Sequence, residues 1–468
     1  MTLVMKFGGT SVGSAQAMRE TAVLIQHTKK QWGQTVAIVS AMGSKPVKVT
    51  DLLLQGAHSA AQGDGETYQQ LANQLRQIHF EAIDGLLAPD SERQQILVEN
   101  GRFIDRFAAL CQAVYVLGEL TPRALDTVGG MGEQMSARIM AAYLRQTGTP
   151  AEAIDATELI VTDSNFQNAT PQFEATKQKT EARLRPLLAK GIVPIVTGFI
   201  AANAEGITTT LGRGGSDYTG AILGEALAAD EVWIWTDVDG VMTADPRLVP
   251  GARSIPQLSY REVSELAFYG AKVLHPKTMR PCVENGIPLR IKNTFNPEHP
   301  GTVIVPDVPN GNGGIKAVTA INNLSLITVE GKGMMGIPGI AARTFGAVAR
   351  DNQSVLLISQ ASSEQSICFA TPDDATRKII HSLEDEFKVE LARQDIDRIW
   401  AQEPVSIVTI VGAGMRGTPG IAGRIFTALG EHSVNAIAIA QGSSECSISV
   451  VVEDGDTATA VAQIHALI

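Results

Sequence analysis

Short apolar runs, each closed by small or polar residues, punctuate the first part of the chain at 3–7, 36–39, 192–196 and 232–235. They alternate with longer stretches of helical periodicity. That alternation predicts an α/β fold with a doubly wound, mainly parallel sheet sandwiched by helices, whose strand ends carry the ligand loops. Between residues 66 and 87 the apolar positions Tyr68, Leu71, Leu75, Ile78, Ala82 and Leu86 recur at intervals of three and four, so a helix burying one face is expected there. With a helical stretch over 102–117 it predicts an all-helical insertion. At 306–314 prolines and glycines crowd together and can continue neither helix nor strand, which places a linker and a domain boundary there.

Beyond that linker the chain repeats itself. Gly333-Met334-Met335-Gly336-Ile337-Pro338-Gly339-Ile340 returns as Gly414-Met415-Arg416-Gly417-Thr418-Pro419-Gly420-Ile421, and Gln360-Ala361-Ser362-Ser363-Glu364 returns as Gln441-Gly442-Ser443-Ser444-Glu445. Both matches keep one offset (414 − 333 = 441 − 360 = 81), so the copies should superimpose element by element. Two copies are too few for a solenoid, and a paired module is expected. Each copy reads strand, Gly/Pro loop, helix, strand, Ser-rich turn, strand.

The 468 residues suit about three domains. Aromatic residues are only 5% of the chain, so its cores must be built from Ala, Val, Ile and Leu. A formal charge of −11 argues against nucleic acid or an anionic membrane as the main partner. Cys111, Cys282, Cys368 and Cys446 are far apart and in no metal-ligand spacing, so free thiols are expected rather than a metal site or a disulfide scaffold. Neither a signal peptide nor a membrane span is legible, which leads to the expectation of a cytoplasmic protein, or of an organelle whose transit peptide is absent from this chain.

Two motifs carry chemistry. In Met5-Lys6-Phe7-Gly8-Gly9-Thr10-Ser11-Val12-Gly13 a lone lysine at a strand end enters a loop of small residues whose backbone N–H groups can approach an anion closely. The glycines precede no Gly-Lys-Ser/Thr, so this is not a Walker A loop. In Gly212-Arg213-Gly214-Gly215-Ser216-Asp217-Tyr218-Thr219 a guanidinium suited to a carboxylate or phosphate lies four residues from a carboxylate that can hold a cation. Phosphoryl transfer needs little beyond such positioned charge.

With Trp235-Thr236-Asp237-Val238-Asp239-Gly240-Val241, Asp245-Pro246-Arg247 and Phe268-Tyr269-Gly270-Ala271-Lys272-Val273-Leu274-His275-Pro276, these motifs resemble the aspartokinases of the amino-acid kinase fold family, over nearly the whole chain. The repeat resembles a pair of ferredoxin-like ACT domains. The resemblance implies a catalytic domain at 1–305 and interleaved ACT units at 315–468, the first at about 323–398 and the second at 315–322 with 399–468. It implies ATP-dependent phosphorylation of the β-carboxylate of L-aspartate to 4-phospho-L-aspartate, the first step of lysine, threonine and methionine biosynthesis. Control by a regulatory amino acid is implied too, threonine being favoured over lysine.

Carried over by position, Lys6 and Asp217 are the catalytic pair. Gly8, Gly9, Thr10 and Ser11 meet the phosphates with Lys6, while Thr236, Asp237, Met242, Arg247, Lys272 and Val273 meet the rest of ATP. Met242 stands where many relatives have tyrosine. Arg213 binds the α-carboxylate of aspartate, Glu133 its ammonium, and Ser40, Thr50 and Ser216 complete the acceptor side. Ser40 and Thr50 are separated by a stretch longer than the family pattern, which leaves the place of Thr50 open. Gln360, Gln441, Met334, Ile337, Met415 and Ile421 are the effector candidates. Mg2+ is expected with ATP, held by phosphate oxygens and water rather than by a protein metal site. His275 is read as ending a helix. A homodimer through the ACT units, or a tetramer, is implied, and the rival readings are another amino-acid kinase acting on glutamate or acetylglutamate, and a sensor with an inert kinase domain.

Overall fold

The computed structural model describes residues 1–44, 47–271, 274–306, 314–361 and 363–468. Two compact units emerge. The first comprises Met1–Val241, Ser254–Tyr260 and Leu274–Asp307, and the second Met242–Arg253, Arg261–Val273 and Val308–Ile468.

The first unit is built on an eight-stranded sheet in the order Gln257–Ser259, Thr302–Val305, Leu289–Asn293, Glu231–Thr236, Thr2–Phe7, Gln34–Val39, Val193–Thr197, Ala151–Ile154. Every pairing is parallel except that of Leu289–Asn293 with Thr302–Val305. All four apolar runs seen in the sequence are central or near-central strands, and their near-continuous burial is what a sheet covered on both faces requires. The expected helices are present as Gly65–Leu86 and Ser91–Leu117, the second beginning well before the expected 102, and each is N-capped by an aspartate, Asp64 and Asp90. They pack with Val49–Ala61 and Met131–Gln146 around Phe107, Leu75 and Leu53 in one apolar core.

The second unit holds a six-stranded sheet in the order Leu357–Gln360, Ser366–Pro372, Ala317–Glu330, Arg398–Val411, Ser447–Glu453, Ala438–Gln441, antiparallel throughout. The repeat offset is exact at element level: helices start at Ile340 and Ile421, strands at Leu357 and Ala438 and at Ser366 and Ser447, and further helices at Thr376 and Thr457, each pair 81 apart. Two long central strands are shared. Leu324–Glu330 lies between Ser366–Pro372 and Arg398–Val405, whereas Ala317–Ile321 pairs with Ile407–Val411, the register slipping at 321–326. The same clasp closes both Gly/Pro loops, where the Gly336 N–H donates to Glu364 (3.1 Å) and the Gly417 N–H to Glu445 (2.8 Å).

Met242–Arg253 and Arg261–Val273 pack into this unit. Fully buried Glu262 meets Lys316 at 3.0 Å and accepts from the Ala413 N–H at 2.7 Å, and Thr243 hydrogen-bonds His465 at 2.9 Å. Residues 307–313 of the expected linker lie outside the described residues. All four cysteines are free thiols. No helix among the described residues is long and apolar enough to cross a membrane.

Candidate active site

A cleft of about 850 Å³ opens in the first unit where the parallel strands end. The strand Thr2–Phe7 delivers Lys6 to its floor. There the Nζ meets Asp217 Oδ1 at 2.6 Å, the two side chains being 10% and 22% exposed. Asp217 sits in the first turn of the helix Gly215–Ala226, where the dipole also favours a carboxylate. The turn before that helix depends on left-handed backbone at Gly212 (φ 78°) and Gly214 (φ 70°), which leaves Arg213 exposed between them. Arg213 has no hydrogen bond or ion pair among the described residues.

Lys6 and Gly8 are followed by a 3₁₀ turn, Gly9–Val12, before Ser14 caps the helix Ala15–Trp32. Gly9 lies in close approach to a neighbouring segment: a Cβ there would lie 3.0 Å from the Ala41 carbonyl oxygen, tighter than an ordinary contact. Glu133, in the first turn of Met131–Gln146, is 3% exposed, and its Oε2 has no hydrogen-bond partner. Burial pushes its carboxyl up to about 8, against the Ala41 N–H and the attraction of Lys6.

The cleft brings together Lys6, Gly8, Gly9, Thr10, Ser40, Thr50, Glu133, Arg213, Ser216, Asp217, Thr236 and Asp237. Thr50 stands in the first turn of the helix Val49–Ala61, just after Val47–Lys48 pairs antiparallel with Gly43–Ser44. Ser11 does not line the cleft. Its Oγ is fully buried and bonded to Thr294 Oγ1 at 2.7 Å. Met242 and Arg247 fall in the second unit, where Arg247 is exposed and paired in bidentate fashion with Asp245. Lys272 and Val273 lie outside the described residues. His275 opens a helix instead of ending one: it caps Pro276–Glu284 by accepting from the Lys277 N–H at 3.2 Å, with Pro276 at the first helical position.

Among the effector candidates, Gln360 and Gln441 are exposed at the ends of the two outermost strands of the second unit's sheet. Ile337 is 43% exposed, whereas Met334, Met415 and Ile421 belong to apolar cores. Residues that the sequence reading missed in the cleft are Lys48, Asp51, His58, Asp126, Phe199 and Thr210. Phe199 has φ 68°, a strained angle for an aromatic residue, and no sequence signal marks it. Among the described residues no group of three or more His, Cys, Asp or Glu is placed to hold a metal ion.

The Amino acid kinase family model matches residues 1–293, and the ACT domain model matches 327–387 and 408–467. The chain is 36% identical over 99% of its length to the bifunctional aspartokinase/homoserine dehydrogenase 1, chloroplastic, of Arabidopsis thaliana, and spans 50% of that protein. It is 32% identical to aspartokinase 3, chloroplastic, of the same plant, covering 99% of this chain and 81% of that one. Its fold superimposes on E. coli aspartokinase III in complex with aspartate and ADP with a TM-score of 0.80, at 29% identity and complete coverage of both chains.

Proposed function

We propose that this chain, which belongs to the aspartokinases of the amino acid kinase family, transfers the γ-phosphoryl group of ATP to the β-carboxylate of L-aspartate. One observation carries the reading: a single cleft holds a guanidinium, Arg213, and a buried carboxyl oxygen, Glu133 Oε2, that have no partner among the described residues. Such a pair complements the α-carboxylate and α-ammonium of a free amino acid. An N-acylated acceptor would leave Glu133 unmatched, which favours aspartate over an acetylglutamate-type substrate. The relative whose structure contains aspartate and ADP supports both the acceptor and the nucleotide.

In this reading an oxygen of the aspartate β-carboxylate bonds to the γ-phosphorus as the bond to the β,γ-bridging oxygen breaks, and ADP leaves. The acceptor is already ionised at neutral pH, so no general base is needed. Lys6 neutralises charge on the transferring group, and Asp217 fixes the ammonium in place. Gly8, Gly9 and Thr10 face the phosphates from the loop, with Thr236 and Asp237 further along the nucleotide. Mg2+ bound to the triphosphate supplies charge neutralisation.

Arg213→Ala tests the acceptor assignment. The KM for aspartate should rise by roughly tenfold or more with the KM for ATP little changed, because the guanidinium meets a carboxylate that does not react. A rise confined to the KM for ATP would transfer Arg213 to the phosphates.

The ACT pair is read as the sensor of an end-product amino acid. Gln360 and Gln441 stand at equivalent, exposed strand ends, where an amide can both donate to and accept from a ligand, and threonine is the favoured effector. A dimer through these units is supported by Ile358 and Ile439, equivalent residues of the two outermost strands that are 50% and 44% exposed.

A further inference from the structure

Asp126 is a buried carboxylate in the acceptor cleft to which the phosphoryl transfer gives no role. It lies in the short helix Pro122–Gly129, 1% exposed, and lines the same cleft as Arg213 and Glu133. Three donors converge on it. The Gln167 N–H reaches both oxygens at 3.0 Å, the Thr210 N–H donates to Oδ2 at 3.0 Å, and the Thr210 hydroxyl to Oδ1 at 2.8 Å.

These donors belong to two chain segments that meet beside the acceptor side. Thr210 ends the strand Thr208–Thr210, three residues before Arg213, and its carbonyl accepts from the Ala169 N–H at 2.9 Å. Gln167 has φ 69°, and a Cβ on Gly212 would lie 3.1 Å from the Gln167 carbonyl oxygen, so the 167–169 and 210–212 backbones are in close contact. Asp126 is the shared acceptor that pins both.

The same bonds have an electrostatic consequence. Of the carboxylates that line the cleft with Arg213, namely Asp51, Asp126, Glu133, Asp217 and Asp237, Asp217 is taken by Lys6 and Asp126 by three donors. Arg213 has no hydrogen bond or ion pair among the described residues.

We propose that Asp126 is a positioning residue for the amino-acid acceptor: it anchors the loop that carries Arg213 and, being saturated with hydrogen bonds, leaves that guanidinium free for the substrate carboxylate. The proposal rests on the acceptor role assigned to Arg213 above. It predicts a change in acceptor binding rather than a general loss of activity, because Lys6 and Gly8 to Thr10 are held by other contacts.

The test is a double-mutant cycle on the full-length chain with Asp126→Asn and Arg213→Ala, reading the KM for aspartate and for ATP separately. Asparagine keeps the volume but turns an N–H2 toward backbone donors. Asp126→Asn alone should raise the KM for aspartate about tenfold and that for ATP less than about threefold. In the Arg213→Ala background the same change should cost less than about twofold, since the group it positions is gone. Parallel changes in both KM values, or an Asp126→Asn effect that multiplies in full onto Arg213→Ala, would reject the positioning role and assign Asp126 to plain stability. If Asp126→Asn does not fold, Thr210→Val removes only the hydroxyl donor and should raise the KM for aspartate a few-fold on its own; no change there also rejects the proposal. Arg213→Ala that leaves the KM for aspartate untouched would remove the underlying acceptor reading and the proposal with it.

Discussion

Glu133 ties the site to pH. In the unfolded chain its carboxyl ionises near the ordinary 4.5, whereas burial delays this to about 8 in the folded protein. The folded state therefore binds the extra proton between those values, and the contribution of this group to stability declines as pH rises from about 4.5 to about 8. Glu133→Gln should remove that slope and raise Tm relative to the wild type at pH 8. Binding of an ammonium requires the ionised form, so the wild-type KM for aspartate should fall about tenfold between pH 7 and the plateau above 8, and Glu133→Gln should bind weakly with a flat profile. A wild-type KM that does not vary from pH 6.5 to 8.5 would detach Glu133 from the ammonium. At Lys6, methionine keeps the length and removes the charge, and kcat should drop by roughly two orders of magnitude or more in a folded variant. That Lys6, Arg213 and Glu133 share one cleft was foreshadowed by the strand end and glycine-rich turns that mark them in the sequence, while their roles are proposals. Asp126 was not, since its donors are 41 and 84 residues away. Ser11 was misleading for the converse reason: a small residue in the phosphate loop turns its hydroxyl to Thr294, 283 residues distant.

Among elements, hydrophobic pattern identified those whose burial is continuous or strictly periodic, namely the four strands of the first sheet and the long helices of the insertion. It did not identify the pairing of Gly43–Ser44 with Val47–Lys48, which has only two residues in each strand. The start of Pro276–Glu284 was misread as a helix end, although proline at the first helical position costs no hydrogen bond and favours a beginning. The loop from Gly8 to Val12 meets the Ala41 and Gly43 backbone at Gly9, so Gly9→Ala must separate two segments that both line the cleft. The expected result is a rise of roughly tenfold or more in the KM for ATP with far-UV circular dichroism unchanged; an unaltered KM would mean that the segments part freely and that this approach does not shape the phosphate site.

For the whole molecule, the exact 81-residue offset made the paired module legible, whereas nothing in the sequence announced that Met242–Arg253 and Arg261–Val273 would pack with it. Those segments are anchored by the core residues Ala244 and Val249 and by polar residues such as Thr243, Glu262 and Glu265, whose partners are remote in sequence. If Gln360 and Gln441 contact the effector, threonine should inhibit by favouring a less active state, and Gln441→Ala should weaken inhibition at least about tenfold while leaving uninhibited turnover largely unchanged. Titrating threonine and lysine, singly and together, checks this, and inhibition that survives both glutamine substitutions would move the effector site elsewhere. The central claim, phosphorylation of the aspartate β-carboxylate, is tested most directly by trapping the product: ATP and Mg2+ are incubated with the wild type and L-aspartate, L-glutamate or N-acetyl-L-glutamate, and the acyl phosphate is captured with hydroxylamine. Stoichiometric aspartyl β-hydroxamate and ADP from L-aspartate alone is the expected result, and no hydroxamate from L-aspartate, or preferential product from either glutamate compound, would contradict it.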